Sequence, residues 1–489
     1  MRLVGRDQEK AILTNMLSSD KAEFLAIYGR RRVGKTFLIK EFFSSKKIFF
    51  LKITGSKNAP MKEQISHFIE QVSEVFFNGV LQRTTNNWNE AFKLLSEAVR
   101  SLDRAKKIIF FFDEFPWMAT KNSRLLQNLE YYWNQVWSDD NRIKLIICGS
   151  SASWIVDKII QNKSGLHNRI TESILLEPFN LNDTKKFLNM KGIKLSHQQI
   201  LQLYMMTGGV PYYLDKIEKG FSATQAIETL AFKKNSFFLN EFDNLFSSLF
   251  EDKEIYIKLI KIIASKRYGI GQEELFKLID YPLKGYGGLS KLNALEKSGF
   301  IMSFVPFFRK SKGIYYKIID EYTLFYFNWI EPVKNSLLKQ GLRKGYWERI
   351  QLSPAWRSWS GYAFESICYK QLPQIAAELN LSPASIPDTW RYIPTKGSEL
   401  DGAQIDLLFD RDDGAITVCE IKYTALPFKI DKEYALKLKR KIDIFLEITK
   451  TKKQVFLAMI ASSGIKASLY SEEMIDSVIT LDALFKPER

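Results

Sequence analysis

Three short apolar runs stand out in the first third of the chain: Phe24-Leu25-Ala26-Ile27-Tyr28, Ile108-Ile109-Phe110-Phe111-Phe112 and Leu145-Ile146-Ile147-Cys148. None alternates with polar residues, a pattern that predicts strands covered on both faces, as in a parallel sheet flanked by helices. The amphipathic segment 37–43 follows the first run as a helix. Further along, the period lengthens. Ile255, Ile257, Leu259, Ile260, Ile262 and Ile263 form a helical stripe within 254–265, and helices are expected at 272–279 and 289–298, the last after the breaker Gly285-Tyr286-Gly287-Gly288. Strand-like runs at 300–306 and 314–319 come next, then an aromatic-rich helix over 320–330. Towards the C-terminus a helix is expected at 359–372. Two strands, 404–409 and 415–422, are joined by the turn Asp410-Arg411-Asp412-Asp413-Gly414.

The polar residues that end the apolar runs carry the chemistry. Directly after the first run stands Gly29-Arg30-Arg31-Arg32-Val33-Gly34-Lys35-Thr36, which fits the P-loop pattern. Its glycines let the backbone curl so that successive N–H groups and the next helix N-terminus face a β-phosphate. Lys35 would reach the β/γ oxygens of ATP, and Thr36 would ligate Mg²⁺. The second run ends in Asp113-Glu114. Adjacent carboxylates at a strand's C-terminal edge suit Asp113 to the metal's shell and Glu114 to polarising the attacking water.

Two further elements flank this set: Leu3-Val4-Gly5-Arg6-Asp7-Gln8-Glu9 and Thr207-Gly208-Gly209-Val210-Pro211-Tyr212. Together, residues 1–235 resemble the archaeal-type ATPases of the AAA+/STAND group. The resemblance implies that Gly5 and Arg6 belong to the Gly-Arg-Asp/Glu element preceding the P-loop, and Pro211 to a Gly-x-Pro turn in a helical lid that closes on the adenine. It further implies an extra strand between the two Walker strands, whose end, Ser150-Ser151, is either a polar sensor or a plain turn. Arg169 is the residue best placed after that strand to act on the γ-phosphate, the alternative being a surface arginine that pairs locally.

At 489 residues, with 46% hydrophobic and 14% aromatic residues, the chain is long enough for two to four globular domains and is not of a disordered type. Lys and Arg number 71 against 55 acids, a net charge of +16 that suits a polyanionic partner, DNA first. No apolar stretch approaches the roughly 18–20 residues that span a bilayer, so a cytoplasmic protein without membrane contact is expected. Cys148, Cys368 and Cys419 read as buried thiols, and His67, His167 and His197 are too few for an imidazole metal centre. Metal chemistry must then rest on carboxylates, which points to Mg²⁺ or Mn²⁺.

Three helices followed by a hairpin with the basic tip Arg309-Lys310-Ser311-Lys312 describe a winged helix over 250–335, which either contacts DNA phosphates or only packs within the chain. In the hairpin 404–422, strand alternation places Glu420 and Lys422 on one face. Pairing Phe409 with Ala415 would set Asp406 opposite Val418, on that same face and diagonal to Glu420. Asp406 and Glu420 could hold a divalent ion, Lys422 could orient a water and offset charge, and Glu365 on the preceding helix would complete the shell. This set resembles the PD-(D/E)XK nuclease superfamily, and residues 345–489 also resemble the C-terminal domain that often accompanies archaeal-type ATPases. Ile405 stands where the superfamily's name-giving proline would be. The basic residues Lys437, Lys439, Arg440 and Lys441 either guide a nucleic-acid backbone or form a solvated helix face with local ion pairs.

The fold class expected is therefore α/β: a P-loop NTPase parallel sheet with a helical lid (1–235), a winged-helix module (250–335) and an α/β restriction-endonuclease-like domain (345–489). The expected activity is that of an ATPase controlling a DNA-directed, metal-dependent nuclease. The alternatives are a STAND-like regulatory ATPase that binds DNA or a protein partner without cleavage, and an ATP-dependent transcriptional regulator. A homo-oligomer or a protein partner is compatible with each.

Overall fold

The computed structural model describes residues 3–102, 106–161, 169–279, 286–307, 313–394, 397–398 and 400–487. Two compact units emerge: Met1–Pro178 with Leu292–Gly299, and Phe179–Lys291 with Phe300–Arg489. The helices expected to form the lid begin at Leu181 and so belong to the second unit.

The first unit is built on five strands, β1 (Glu23–Tyr28), β2 (Phe49–Thr54), β3 (Ile108–Asp113), β4 (Ile143–Cys148) and β5 (Glu172–Leu175), in the order β2-β3-β4-β1-β5. All four pairings are parallel, and β4 lies between β1 and β3. The unbroken apolar runs are explained by burial on both faces. Phe24, Ala26, Phe110 and Phe112 pack with the helices Met61–Phe76 and Trp88–Arg100 in one core, where Phe68 and Phe92 meet edge to face. Leu25, Ile27, Ile109 and Phe111 face a second core with the helices Asp7–Ser18 and Lys35–Phe43. Such a three-layer arrangement leaves only the strand ends open to solvent and ligands.

In the second unit, the helices Leu181–Met190, His197–Thr207, Pro211–Asp215, Ala223–Ala231 and Phe237–Leu249 lead to Lys253–Ala264 and Gln272–Leu278. The next helix, Tyr286–Lys297, which from Leu292 onward is assigned to the first unit, starts earlier than its sequence suggests: Gly287 and Gly288 lie within its first turn instead of breaking it. The short strands β6 (Ile270–Gly271), β7 (Ile301–Phe304) and β8 (Tyr315–Ile318) form an antiparallel sheet in the order β6-β8-β7. Arg309, Lys310 and Lys312 lie outside the described residues. The aromatic-rich helix is α-helical over Glu321–Phe325 and widens into a π-turn over Tyr326–Ile330, with the Tyr326 ring stacked on Phe242 at 4.3 Å.

The C-terminal region carries a second five-stranded sheet. Its strands are β9 (Ile386–Tyr392), β10 (Ala403–Asp410), β11 (Ala415–Lys422), β13 (Gln454–Ala461) and β15 (Ser477–Thr480), in the order β15-β13-β11-β10-β9. Between them, β12 (Phe428–Lys429) and β14 (Ile465–Lys466) form a separate parallel pair. β9, β10 and β11 are antiparallel, whereas β13 and β15 run parallel to β11. The helix expected at 359–372 instead spans Pro354–Tyr369, because Ser353 caps it by accepting from the Trp356 N–H and Pro354 fits its first turn. The long helix Lys432–Thr449 covers one sheet face through Leu438, Ile444 and Phe445, which pack on Ile405, Leu408 and Val418.

Candidate nucleotide and acidic sites

At the C-terminal edge of the first sheet, Gly29 leaves β1 at φ 134°, and Gly34 enters the helix Lys35–Phe43 at φ 95°. A Cβ on Gly29 would sit 2.4 Å from the Leu176 carbonyl oxygen, so only glycine lets the loop pass β5. Gly29→Ala is therefore expected to cost about 1–3 kcal/mol of backbone strain. Calorimetric melting should show a lower Tm together with weaker nucleotide binding; an unchanged Tm and affinity would reject this close fit.

Lys35 is buried, and its Nζ donates to the carbonyls of Gly29 and Arg30, each at 2.9 Å. Burial lowers its pKa, partly offset by the charges of Cys148, Glu114 and Asp113. The Thr36 hydroxyl donates to Asp113 at 2.9 Å, and Lys52 of β2, which the sequence pattern did not single out, stands 3.4 Å from the same carboxylate. This cluster of hard oxygens is a donor set that fits Mg²⁺. Glu114 takes up φ 50° at the start of the short helix Phe115–Met118, and its Oε2 accepts from both the N–H (3.1 Å) and the hydroxyl (2.9 Å) of Ser150. Of the two candidate serines, Ser150 is thus the one joined to Glu114.

Gly5 and Arg6 both have left-handed backbone, and Arg6 bridges the start of the chain to the loop by donating to the carbonyls of Glu177 (2.7 Å) and Val33 (3.4 Å). Within the loop Arg30 and Val33 are buried, Arg31 lies close enough to depress the Lys35 pKa, and Arg32 has φ 74°. Arg169 is exposed, directly after the undescribed residues 162–168. Pro211 opens the helix Pro211–Asp215 behind Gly209, whose φ is 68°.

The acidic residues of the C-terminal region meet on β10 and β11. The register pairs Leu407 with Cys419 and Leu408 with Val418, which sets Asp406 directly across from Glu420 rather than diagonal to it. The pairing expected from the turn is off by two residues. A two-residue slip keeps each side chain on its face, so Asp406 and Glu420 still converge. A register shift against β9 between Ile405 and Leu408 spans Asp406 and Leu407, and such irregularities re-aim side chains.

Glu420 is 6% exposed, yet its pKa is held down at about 2. Burial pushes it up, and Lys441 and Lys422 outweigh that. Lys422 Nζ lies 2.8 Å from Oε1 and Lys441 Nζ 2.6 Å from Oε2, while the Tyr434 hydroxyl donates to Oε1 at 2.6 Å. Asp406 is pushed up by burial and by the Glu420 charge, and accepts a hydrogen bond from Gln404 Nε2 at 2.5 Å. Burial and Asp406 likewise raise Glu365 to about 7, against the opposing charges of Arg267 and Lys422.

Among the described residues, no three His, Cys, Asp or Glu side chains are grouped so as to hold an ion by themselves. The facing pair Asp406 and Glu420 nevertheless fits Mg²⁺ or Mn²⁺ held through two carboxylates, water and a substrate phosphate. Of the basic helix, Lys437 pairs with Glu433 and Arg440 with Asp401, while Lys441 turns inward to Glu420. Lys441, Tyr434 and Gln404 were not singled out as parts of the site from sequence.

Comparison with known proteins covers both regions. An uncharacterized protein of Methanocaldococcus jannaschii is 26% identical over 448 residues, 90% of this chain and 91% of that one. An uncharacterized ATP-binding protein of the same organism is 49% identical over 45 residues, 9% of this chain and 76% of that one. Among solved structures, the Walker-type ATPase of Pyrococcus abyssi aligns with a TM-score of 0.47 at 17% identity, covering 66% of this chain and 96% of that one. No helix among the described residues is long and apolar enough to cross a membrane. Residues 3–217 match the ATPase domain predominantly found in Archaea, so the P-loop, Asp113 and Glu114 lie within an archaeal-type ATPase domain.

Proposed function

We propose that ATP binding and hydrolysis by residues 1–235 control a DNA-directed nuclease formed by residues 345–489, with 250–335 acting as a winged helix between them. The observation that carries the nuclease half is the convergence of Asp406 and Glu420 across β10 and β11, with Lys422 at the end of the same strand. A bound Mg²⁺ or Mn²⁺ would supply charge stabilisation at the scissile phosphate. The chain's own groups do the rest. Lys422 orients a water and offsets phosphate charge, Glu420 is kept ionised by its two lysines, and Glu365 adds a third carboxylate from the neighbouring helix. Three helices followed by an antiparallel hairpin support the winged-helix reading. In the ATPase half, Lys35 and Thr36 serve the phosphates and Mg²⁺, Asp113 the metal's shell, Glu114 the water, Arg169 the γ-phosphate and Pro211 the lid.

The full chain, incubated with linear DNA and Mn²⁺, should cleave it at a rate that differs several-fold between ATP and ADP, a difference that Lys35→Ala removes. Lack of cleavage in every nucleotide state would favour the second reading, a regulatory ATPase that binds without cutting. That reading draws on Glu420, both of whose oxygens already meet lysines. Under either reading, DNA affinity should fall steeply with salt. The exposed pairs of Lys437 and Arg440 are weak enough to yield to phosphates. Reversing Lys437, Lys439 and Arg440 should therefore flatten the log–log salt slope by roughly 3 units, about one for each phosphate no longer neutralised. An unaltered slope would move the DNA-binding surface elsewhere.

A further inference from the structure

The cations nearest Glu365 and Asp406 include two that do not belong to the C-terminal region. Arg267, in the turn between the helix Lys253–Ala264 and β6, places its NH2 group 3.1 Å from Glu365 Oε1. Its guanidinium also lies 5.4 Å from the ring centres of both Tyr268 and Tyr362. Lys317, on β8, has its Nζ 3.7 Å from the ring centre of Tyr369, whose hydroxyl donates to the Asp406 carbonyl at 2.6 Å. Burial lowers the Lys317 pKa to about 8, against the opposing pull of Asp406 and Glu365. An ammonium withdrawn from water this far needs compensation, and here it comes from the ring and two carboxylates.

The backbone fastens the same surfaces together. The Phe307 N–H, just past β7, donates to the Thr389 carbonyl of edge strand β9 at 2.8 Å, and the Phe307 ring stacks on Phe445. What remains between the two surfaces is a cavity of about 60 Å³, lined by Arg267 and Lys317 on one side and by Glu365 and Asp406 on the other. That is room for a few waters. Sites that enclose organic ligands start at about 300 Å³, so a nucleotide does not fit while the two surfaces stay together.

We infer that Arg267 in the turn before β6, Phe307 just past β7 and Lys317 on β8 form an internal plug for the C-terminal acidic site, the two cations taking the place of a metal's charge and the bulk of these groups taking the place of nucleic acid. The inference rests on the nuclease reading for the identity of what is shut out, but not for the existence of the plug. Opening would do two things together. It would free Glu365 and Asp406 for a divalent ion, and it would release Arg267 and Lys317 to meet phosphates.

The test uses the full chain and two independent readouts. Hydrogen–deuterium exchange at the Phe307 amide and across β9 reads the plug itself. Mn²⁺ titration followed by electron paramagnetic resonance reads access to the acids, with Asp406→Ala as the blank for other sites. Paired Arg267→Gln and Lys317→Gln substitutions should speed exchange at least tenfold and tighten Mn²⁺ binding at least tenfold. Phe307→Ala, which leaves both charges in place, should speed exchange likewise and serves if the charge variant folds poorly. Exchange in the wild-type protein as fast as in both variants would overturn the plug. So would faster exchange accompanied by lost cleavage at unchanged Mn²⁺ affinity, because the two cations would then be serving the reaction. Faster exchange with neither Mn²⁺ binding nor cleavage in any form would uphold the plug and overturn the nuclease reading.

Discussion

Glu114→Gln is expected to leave ATP binding nearly unchanged and to slow hydrolysis by about 10²–10⁴-fold, the range over which a positioned acid–base group acts. The two neighbouring carboxylates hold different posts. Asp113 ends β3 and is engaged by Thr36 and Lys52, so it is tied to the phosphate-binding loop. Glu114 leaves the strand with left-handed backbone, an arrangement that costs energy in a residue with a side chain and that turns its carboxylate to the end of β4. There Ser150 fixes one oxygen through two hydrogen bonds. Glutamine keeps the shape and can still accept from Ser150, but it has no charge with which to polarise water. The Lys35 hydrogen bonds are untouched, so affinity should be retained. Phosphate release in steady state, beside titration with a fluorescent ATP analogue, separates the two quantities. Hydrolysis at the wild-type rate would remove Glu114 from the reaction.

The nucleotide site was legible because its chemistry is local. One loop, two strand ends and their order along the chain are enough to place Lys35, Thr36, Asp113 and Glu114 at one sheet edge, and the structure sets β4 between β1 and β3. The C-terminal site was less legible because it depends on pairing. The hairpin and its shared face follow from alternation, but the register is also set by β9 and the irregularity across Asp406 and Leu407, and neither is announced by sequence. β9 itself was missed because Pro387 breaks its pattern; as an edge strand it tolerates the lost donor.

Lys441 does leave a signal in the sequence. Tyr434, Leu438, Lys441 and Phe445 recur at helical spacing, so the lysine lies in the apolar stripe of its helix, where a charge must have a buried partner. Arg267 and Lys317 leave none, since the groups they meet lie far along the chain, 98 residues away for Arg267 and Glu365.

Asp406→Ala and Glu420→Ala should each lower metal-dependent DNA cleavage by at least about 10³-fold while ATP hydrolysis continues. A site whose ion is held chiefly by the facing pair Asp406 and Glu420, with Glu365 only completing the shell, cannot lose either of the pair and keep the ion's position, and misplacing the charge at the scissile phosphate forfeits several kcal/mol of stabilisation. The two substitutions differ in what they leave behind. Without Glu420, Lys422 and Lys441 face each other without their shared counter-charge, so Mn²⁺ should be repelled and stability should fall too. Without Asp406 the mutual repulsion with Glu420 and Glu365 is relieved, so stability should hold or rise while cleavage is lost. Lys422→Ala should cut cleavage by about 10²-fold with Mn²⁺ still bound, because Asp406 and Glu420 remain. Glu365→Ala should cost less than any of these. A fluorescent linear DNA, phosphate release and thermal melting, read on the same preparations, check all four. Cleavage that survived in Asp406→Ala, Glu420→Ala and Lys422→Ala would place the cutting activity outside this hairpin. A loss of ATP hydrolysis in step with cleavage would instead mean that the substitutions had disrupted the fold.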